Sequence, residues 1–108
     1  MPLQSRLEFY IPIPNGASKH KDIEEWIQMI IEKFGSWFQR TTVRQEVMYT
    51  GCIVGNVYYV VCAFCITKQL QQHFLLVEAL VRDTAEHVGC DDVFVAVNGS
   101  MYFIFVRR

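Results

Sequence analysis

Cys62-Ala-Phe-Cys65 has the CxxC spacing of thiol redox centres and zinc sites. Both chemistries need two sulfurs that converge, as they do at a turn or a helix start. This pair lies inside residues 57–66, VYYVVCAFCI, a β-branched and aromatic run that reads as a strand. Residues three apart on a strand face opposite sides, so the spacing predicts two buried apolar thiols. Cys52 and Cys90 are further candidate ligands, but the histidines His20, His73 and His87 are widely scattered. His73 and His87 fall on one expected helix, roughly 21 Å apart, and cannot share an ion. No metal and no cofactor is expected.

Carboxylates pair at Glu24-Glu25, at Asp83 with Glu86, and at Asp91-Asp92. Glu24-Glu25 reads as a first helical turn, where the dipole favours anions. Asp83 and Glu86 read as a solvated helix face beside Arg82, and Asp91-Asp92 as a turn. No GxGxxG, P-loop or GxSxG motif occurs. Gly51-Cys-Ile-Val-Gly55 is too short for a phosphate loop and lacks a lysine. Nothing marks a catalytic residue. Polar-tipped aromatics are the better candidates for a binding site. Tyr10, Trp26, Tyr49, Tyr58, Tyr59 and His73 would line an apolar pocket between sheet and helices.

These residues must be positioned by a chain of 108 residues, a common length for one domain, so residues 1–108 read as a single domain. The apolar fraction is 52% and the aromatic fraction 14%. That is a large apolar surface for a small domain to hide, and it raises the expectation of a partner. A net charge of −1 gives no basic field, so nucleic acid is not an expected partner. No apolar run reaches membrane-spanning length. The first residues lack the charged start and apolar run of a secretory signal. Cytoplasm is the expected compartment, with the cysteines as free thiols.

Residues 6–13 alternate, with Leu7, Phe9, Ile11 and Ile13 on one face and Glu8 and Tyr10 on the other, as in a half-buried strand ended by Pro12 and Pro14. A helix follows, capped at Ser18 or Asp22, with a stripe of Ile23, Ile27, Ile30 and Phe34, and stopped by Gly35. Residues 37–49 read as extended. Trp37 and Phe38 are assigned either to the start of this strand or to a loop. Residues 51–56 make a hairpin connection into the doubly apolar strand 57–66. A second helix spans residues 68–88 on a stripe of Leu70, Phe74, Val77, Val81, Ala85 and Val88, with Leu75, Leu76 and Leu80 off the stripe and Gly89 ending it. Residues 93–97 form a strand, Asn98-Gly99 a hairpin turn, and residues 101–106 the returning strand.

The order strand–helix–strand–strand–helix–strand, plus a final hairpin strand, resembles the ferredoxin-like α+β two-layer sandwich with a mostly antiparallel sheet. The resemblance covers nearly the whole chain in pattern alone. Such a sandwich covers one sheet face with helices. Here Tyr58, Val60, Cys62 and Phe64 oppose Tyr59, Val61, Ala63 and Cys65, so both faces are apolar. The expected consequence is a homodimer through one sheet face, acting as an interaction or small-ligand module. The alternatives are a small dimeric barrel-type enzyme or carrier of an apolar ligand, and a subunit of a larger assembly that docks through Trp37-Phe38 or the off-stripe leucines. The aromatic sheet also suggests RNA-recognition modules, but their basic-glycine-aromatic signature is missing.

Overall fold

The computed structural model describes residues 5–13, 17–38, 40–49, 55–89 and 93–103. The chain is α+β, with the elements β1 (Ser5–Pro12), α1 (Ala17–Trp37), β2 (Arg40–Tyr49), β3 (Gly55–Cys65), α2 (Thr67–Val88), β4 (Phe94–Val97) and β5 (Ser100–Phe103). The strands form one sheet in the order β2-β3-β1-β4-β5. Every neighbouring pair is antiparallel. The first four strands follow the ferredoxin-like order, and β5 extends it as the return arm of a hairpin. Two helices on one side of this sheet complete the two-layer sandwich.

The core between the layers follows the predicted alternation, except that Leu80, expected off the α2 stripe, is buried in it. Leu7, Phe9 and Ile11 of β1, with Val61, Ala63 and Cys65 of β3, pack against Ile23, Ile27, Ile30 and Phe34 of α1. From α2 they meet Leu70, Val77, Leu80, Val81 and Ala85. Trp26 fastens the helices together: its Nε1–H donates to Thr84 Oγ1 at 2.9 Å, and its ring stacks on His87 with centroids 4.1 Å apart. The Thr84 hydroxyl donates in turn to the Leu80 carbonyl at 2.7 Å.

Helix ends differ from expectation in one place and agree in another. α1 begins at Ala17 and runs past Gly35 to Trp37, with Phe38 N–H donating to the Phe34 carbonyl at 2.8 Å. Neither Asp22 nor Gly35 is therefore a boundary, and Glu24 and Glu25 lie beyond the first turn as exposed residues. Trp37 ends the helix rather than starting a strand. The reason is packing: Phe34, Trp37 and Phe38 interlock edge-on and tilted, with Phe34 and Phe38 centroids at 5.5 Å. Burying that cluster outweighs the cost of about 1 kcal/mol for a glycine inside a helix. α2 ends as predicted, with Gly89 left-handed at φ 70° and its N–H bonded to the Ala85 carbonyl at 2.9 Å.

The Asn98-Gly99 turn has φ of 52° and 86°, both positive as a type I′ hairpin requires. Asn98 also ties the turn to β1. Its N–H donates to the Arg6 carbonyl, and its Oδ1 accepts from the Arg6 N–H. The connection at residues 51–54, the thiols of Cys52 and Cys90, Asp91-Asp92 and strand residues 104–106 lie outside the described residues. No helix among the described residues is long and apolar enough to cross a membrane.

Candidate functional site

Two parts of the sheet gather the residues that matter. The first is the face turned away from the helices. Register places Glu8 opposite Cys62, Tyr10 opposite Val60, and Pro12 opposite Tyr58. On the other side of β1, Tyr10 faces Phe94 and Glu8 faces Ala96. Tyr10 stacks flat on Phe94, with centroids 4.7 Å apart, and Tyr58 meets both rings edge-on. These side chains, with Val60, Cys62 and Ala96, are between 0% and 6% exposed within the single chain. The strand β1 is therefore buried on both faces, not half-buried as its alternation implied.

Glu8 belongs to this buried face, its side chain only 7% exposed. Burial of a carboxylate demands pairing, and two arginines supply it. Arg6 Nε reaches Oε1 at 3.2 Å from the same strand. Arg44 Nη2 crosses from β2 to Oε2 at 2.5 Å and also holds Glu46 Oε2 at 3.0 Å. The Tyr10 hydroxyl lies 3.5 Å from the same nitrogen. Burial pushes the Tyr10 phenol up from its ordinary value, and the Glu8 carboxylate adds to the rise. Burial likewise pushes up the Cys62 thiol, again with Glu8 adding to it, and the Cys65 thiol. Both thiols are thus poor nucleophiles.

Cys62 and Cys65 are free thiols on opposite sides of β3, Cys65 in the helix-side core and Cys62 beside Glu8. The CxxC spacing does not bring its sulfurs together. Among the described residues, no three His, Cys, Asp or Glu side chains are grouped to hold a metal.

The second part is the border of β2 and β3 beyond α1. Ile27 and Ile31 of α1 wall an open groove of about 510 Å³, with Val43 and Tyr59 as its floor and Glu24, Glu25 and Gln28 on its rim. The floor continues outward as an apolar strip. Val43 is 41% exposed, Val47 48% and Val57 38%. Val43 pairs with Val61, and Val47 with Val57, so the strip lies on the helix-side face where α1 no longer covers it. β2 is also the outer strand of the sheet, and no described strand pairs with its far side.

The six aromatic candidates therefore do not share a pocket. Tyr10 and Tyr58 meet on the buried second face. Tyr59 lines the groove. Trp26 is engaged between the helices by Thr84 and His87. His73 on α2 stacks on Trp37 and meets Phe38 edge-on, and its Nδ1 is buried without a hydrogen-bond partner. Tyr49 ends β2, and its side chain lies outside the described residues. Sequence reasoning passed over Glu8 and Arg44, whose alternation along β1 and β2 looked like an ordinary solvent face, and the unlike charges at Arg44 and Glu46 were the available signal. The alternation of β2 put Val43 and Val47 on its covered face, whereas the structure leaves both exposed. No protein-family model, curated protein or solved structure matches this chain.

Proposed function

We propose that this domain is an interaction module that self-associates at the edge of its sheet. The observation that carries the reading is the ten-residue outer strand β2, bordered by the exposed valines Val43, Val47 and Val57. A long edge strand with apolar side chains is a template for pairing with another chain. The second sheet face, the interface expected from the sequence, is a weaker candidate because the single chain already buries its central side chains. The groove beside α1 also fits a small apolar ligand, which keeps a carrier role as the second reading. The two buried free thiols accord with a reducing cytoplasmic setting.

Molar mass in solution, measured by light scattering across the micromolar range, tests the proposal. A concentration-dependent dimer is expected. A strict monomer at high micromolar concentration refutes self-association, and saturable uptake of an apolar dye without change of mass would then favour the carrier reading.

A further inference from the structure

The backbone fixes which groups of β2 are free to pair. Ile13 N–H donates to the Val57 carbonyl, and Asn98 N–H to the Arg6 carbonyl. Antiparallel bonding alternates along a strand. Odd-numbered residues of β1 and β3 therefore bond each other, and even-numbered residues of β3 bond β2 through Arg44 with Val60 and Thr42 with Cys62. The amides and carbonyls of Thr41, Val43, Gln45, Val47 and Tyr49 are left pointing out of the sheet. A second strand must present its own outward groups opposite these.

A second copy of β2 does so. For antiparallel pairing about a two-fold axis, residues opposite each other have position numbers with a fixed sum. Matching the outward groups and keeping the longest overlap of Arg40–Tyr49 leaves two registers, with the axis at Arg44 or at Gln45. The first puts Arg44 opposite Arg44 of the second copy, a like-charge contact that destabilises cross-strand pairs. The second puts Arg44 opposite Glu46 and Val43 opposite Val47, twice over by symmetry.

Building on the proposed self-association, we propose that two copies pair β2 to β2 with Gln45 on the two-fold axis, giving one continuous sheet. On the face away from the helices, Arg44 and Glu46 of both copies make a square of alternating charges. On the helix face, Val47 of one copy covers Val43 of the other at the mouth of the groove. Val43, Val47 and the unlike charges are satisfied by the same register.

Cross-linking tests this on a chain with Cys52→Ser and Cys90→Ser, since Cys62 and Cys65 are buried. Opposed residues of a hydrogen-bonded pair have Cα atoms about 5.5 Å apart, within reach of a disulfide. Under mild oxidation Gln45→Cys is expected to yield a covalent dimer. A mixture of Val43→Cys and Val47→Cys chains is expected to cross-link as a heterodimer, while Val43→Cys alone stays unlinked. Glu46→Lys, on a half-exposed side chain, is expected to weaken the dimer about tenfold by opposing Lys to Arg44 twice. A dimer of the right mass in which Gln45→Cys stays unlinked, or Val43→Cys links to itself, overturns the register and leaves self-association standing. A monomer overturns both.

Discussion

The pair of Glu8 and Arg44 has an asymmetry that can be measured. Glu8 is buried, 7% exposed, whereas Arg44 is 45% exposed and holds Glu46 as well. Arg44→Met leaves the Glu8 Oε2 with no partner from β2, and only Arg6 remains on Oε1. A hydrogen bond to a charged group contributes about 1.5–3 kcal/mol, and the half-exposed arginine lets water replace part of it, so a cost of about 1–2 kcal/mol follows. Glu8→Met leaves a wet guanidinium that still has Glu46, and costs less. The double variant Glu8→Met with Arg44→Met removes both charges together and is expected near the native stability, as paired replacements often are. Urea unfolding of the four proteins closes the cycle, with a coupling of about 1–2 kcal/mol. The series is run at two protein concentrations, so that mass action from dimerisation is separated from folding. A coupling below about 0.5 kcal/mol, or a costlier Glu8→Met than Arg44→Met, would refute the reasoning.

Two further expectations follow from buried groups. His73→Phe keeps the ring against Trp37 and removes the unpartnered Nδ1; an unsatisfied buried polar atom costs about 1–3 kcal/mol, so a rise in Tm of several degrees is expected, and a fall would show that the nitrogen has a bonding role. The raised Cys62, Cys65 and Tyr10 groups make the native state hold protons that the unfolded chain releases first. The thiols' stabilising contribution is complete below their ordinary value of 9.0 and the phenol's below 10.0, and each is lost as pH rises above that value. Denaturant midpoints from pH 8 to pH 11 are expected to fall, and Cys62→Ala with Cys65→Ala to flatten the lower part of the fall; an unchanged slope in that variant would exclude the thiols as its source.

The architecture was legible because period-two and helical stripes survive in single residues. Leu7, Phe9 and Ile11 against Glu8 and Tyr10 define β1, and Ile23, Ile27, Ile30 and Phe34 define the inner face of α1. The Asn98-Gly99 turn and the Gly89 stop were legible because both need positive φ. Gly35 misled because local propensity cannot register the packing of Phe34, Trp37 and Phe38 that carries α1 through it. Glu8 misled for a related reason. A lone carboxylate in an alternating strand reads as a wet position, and only sheet register brings Arg44 from β2 across β3 to bury it. The aromatic candidates were scattered because residue type predicts a polar tip but not which layer receives it. Tyr58 and Tyr59 are neighbours that point into different layers.

An open edge such as that of β2 is a template for uncontrolled pairing. Edge strands are commonly blunted by proline, charged side chains or bulges. β2, RTTVRQEVMY, has no proline and no bulge, its pairing with β3 running unbroken from Arg40 opposite Phe64 to Tyr49 opposite Gly55, and its charges are Arg40, Arg44 and Glu46. The opposite edge is β5, described over Ser100–Phe103. A contact joining β2 to β5 of another copy would be head-to-tail and would propagate, whereas β2 on β2 about a two-fold axis closes after two copies. In the proposed dimer Arg44, held within its own chain by Glu8 and Glu46, would favour the closed form by standing opposite Glu46 of the second copy. Under that proposal, the arginine that settles a buried carboxylate inside the sheet would also select the register at its edge.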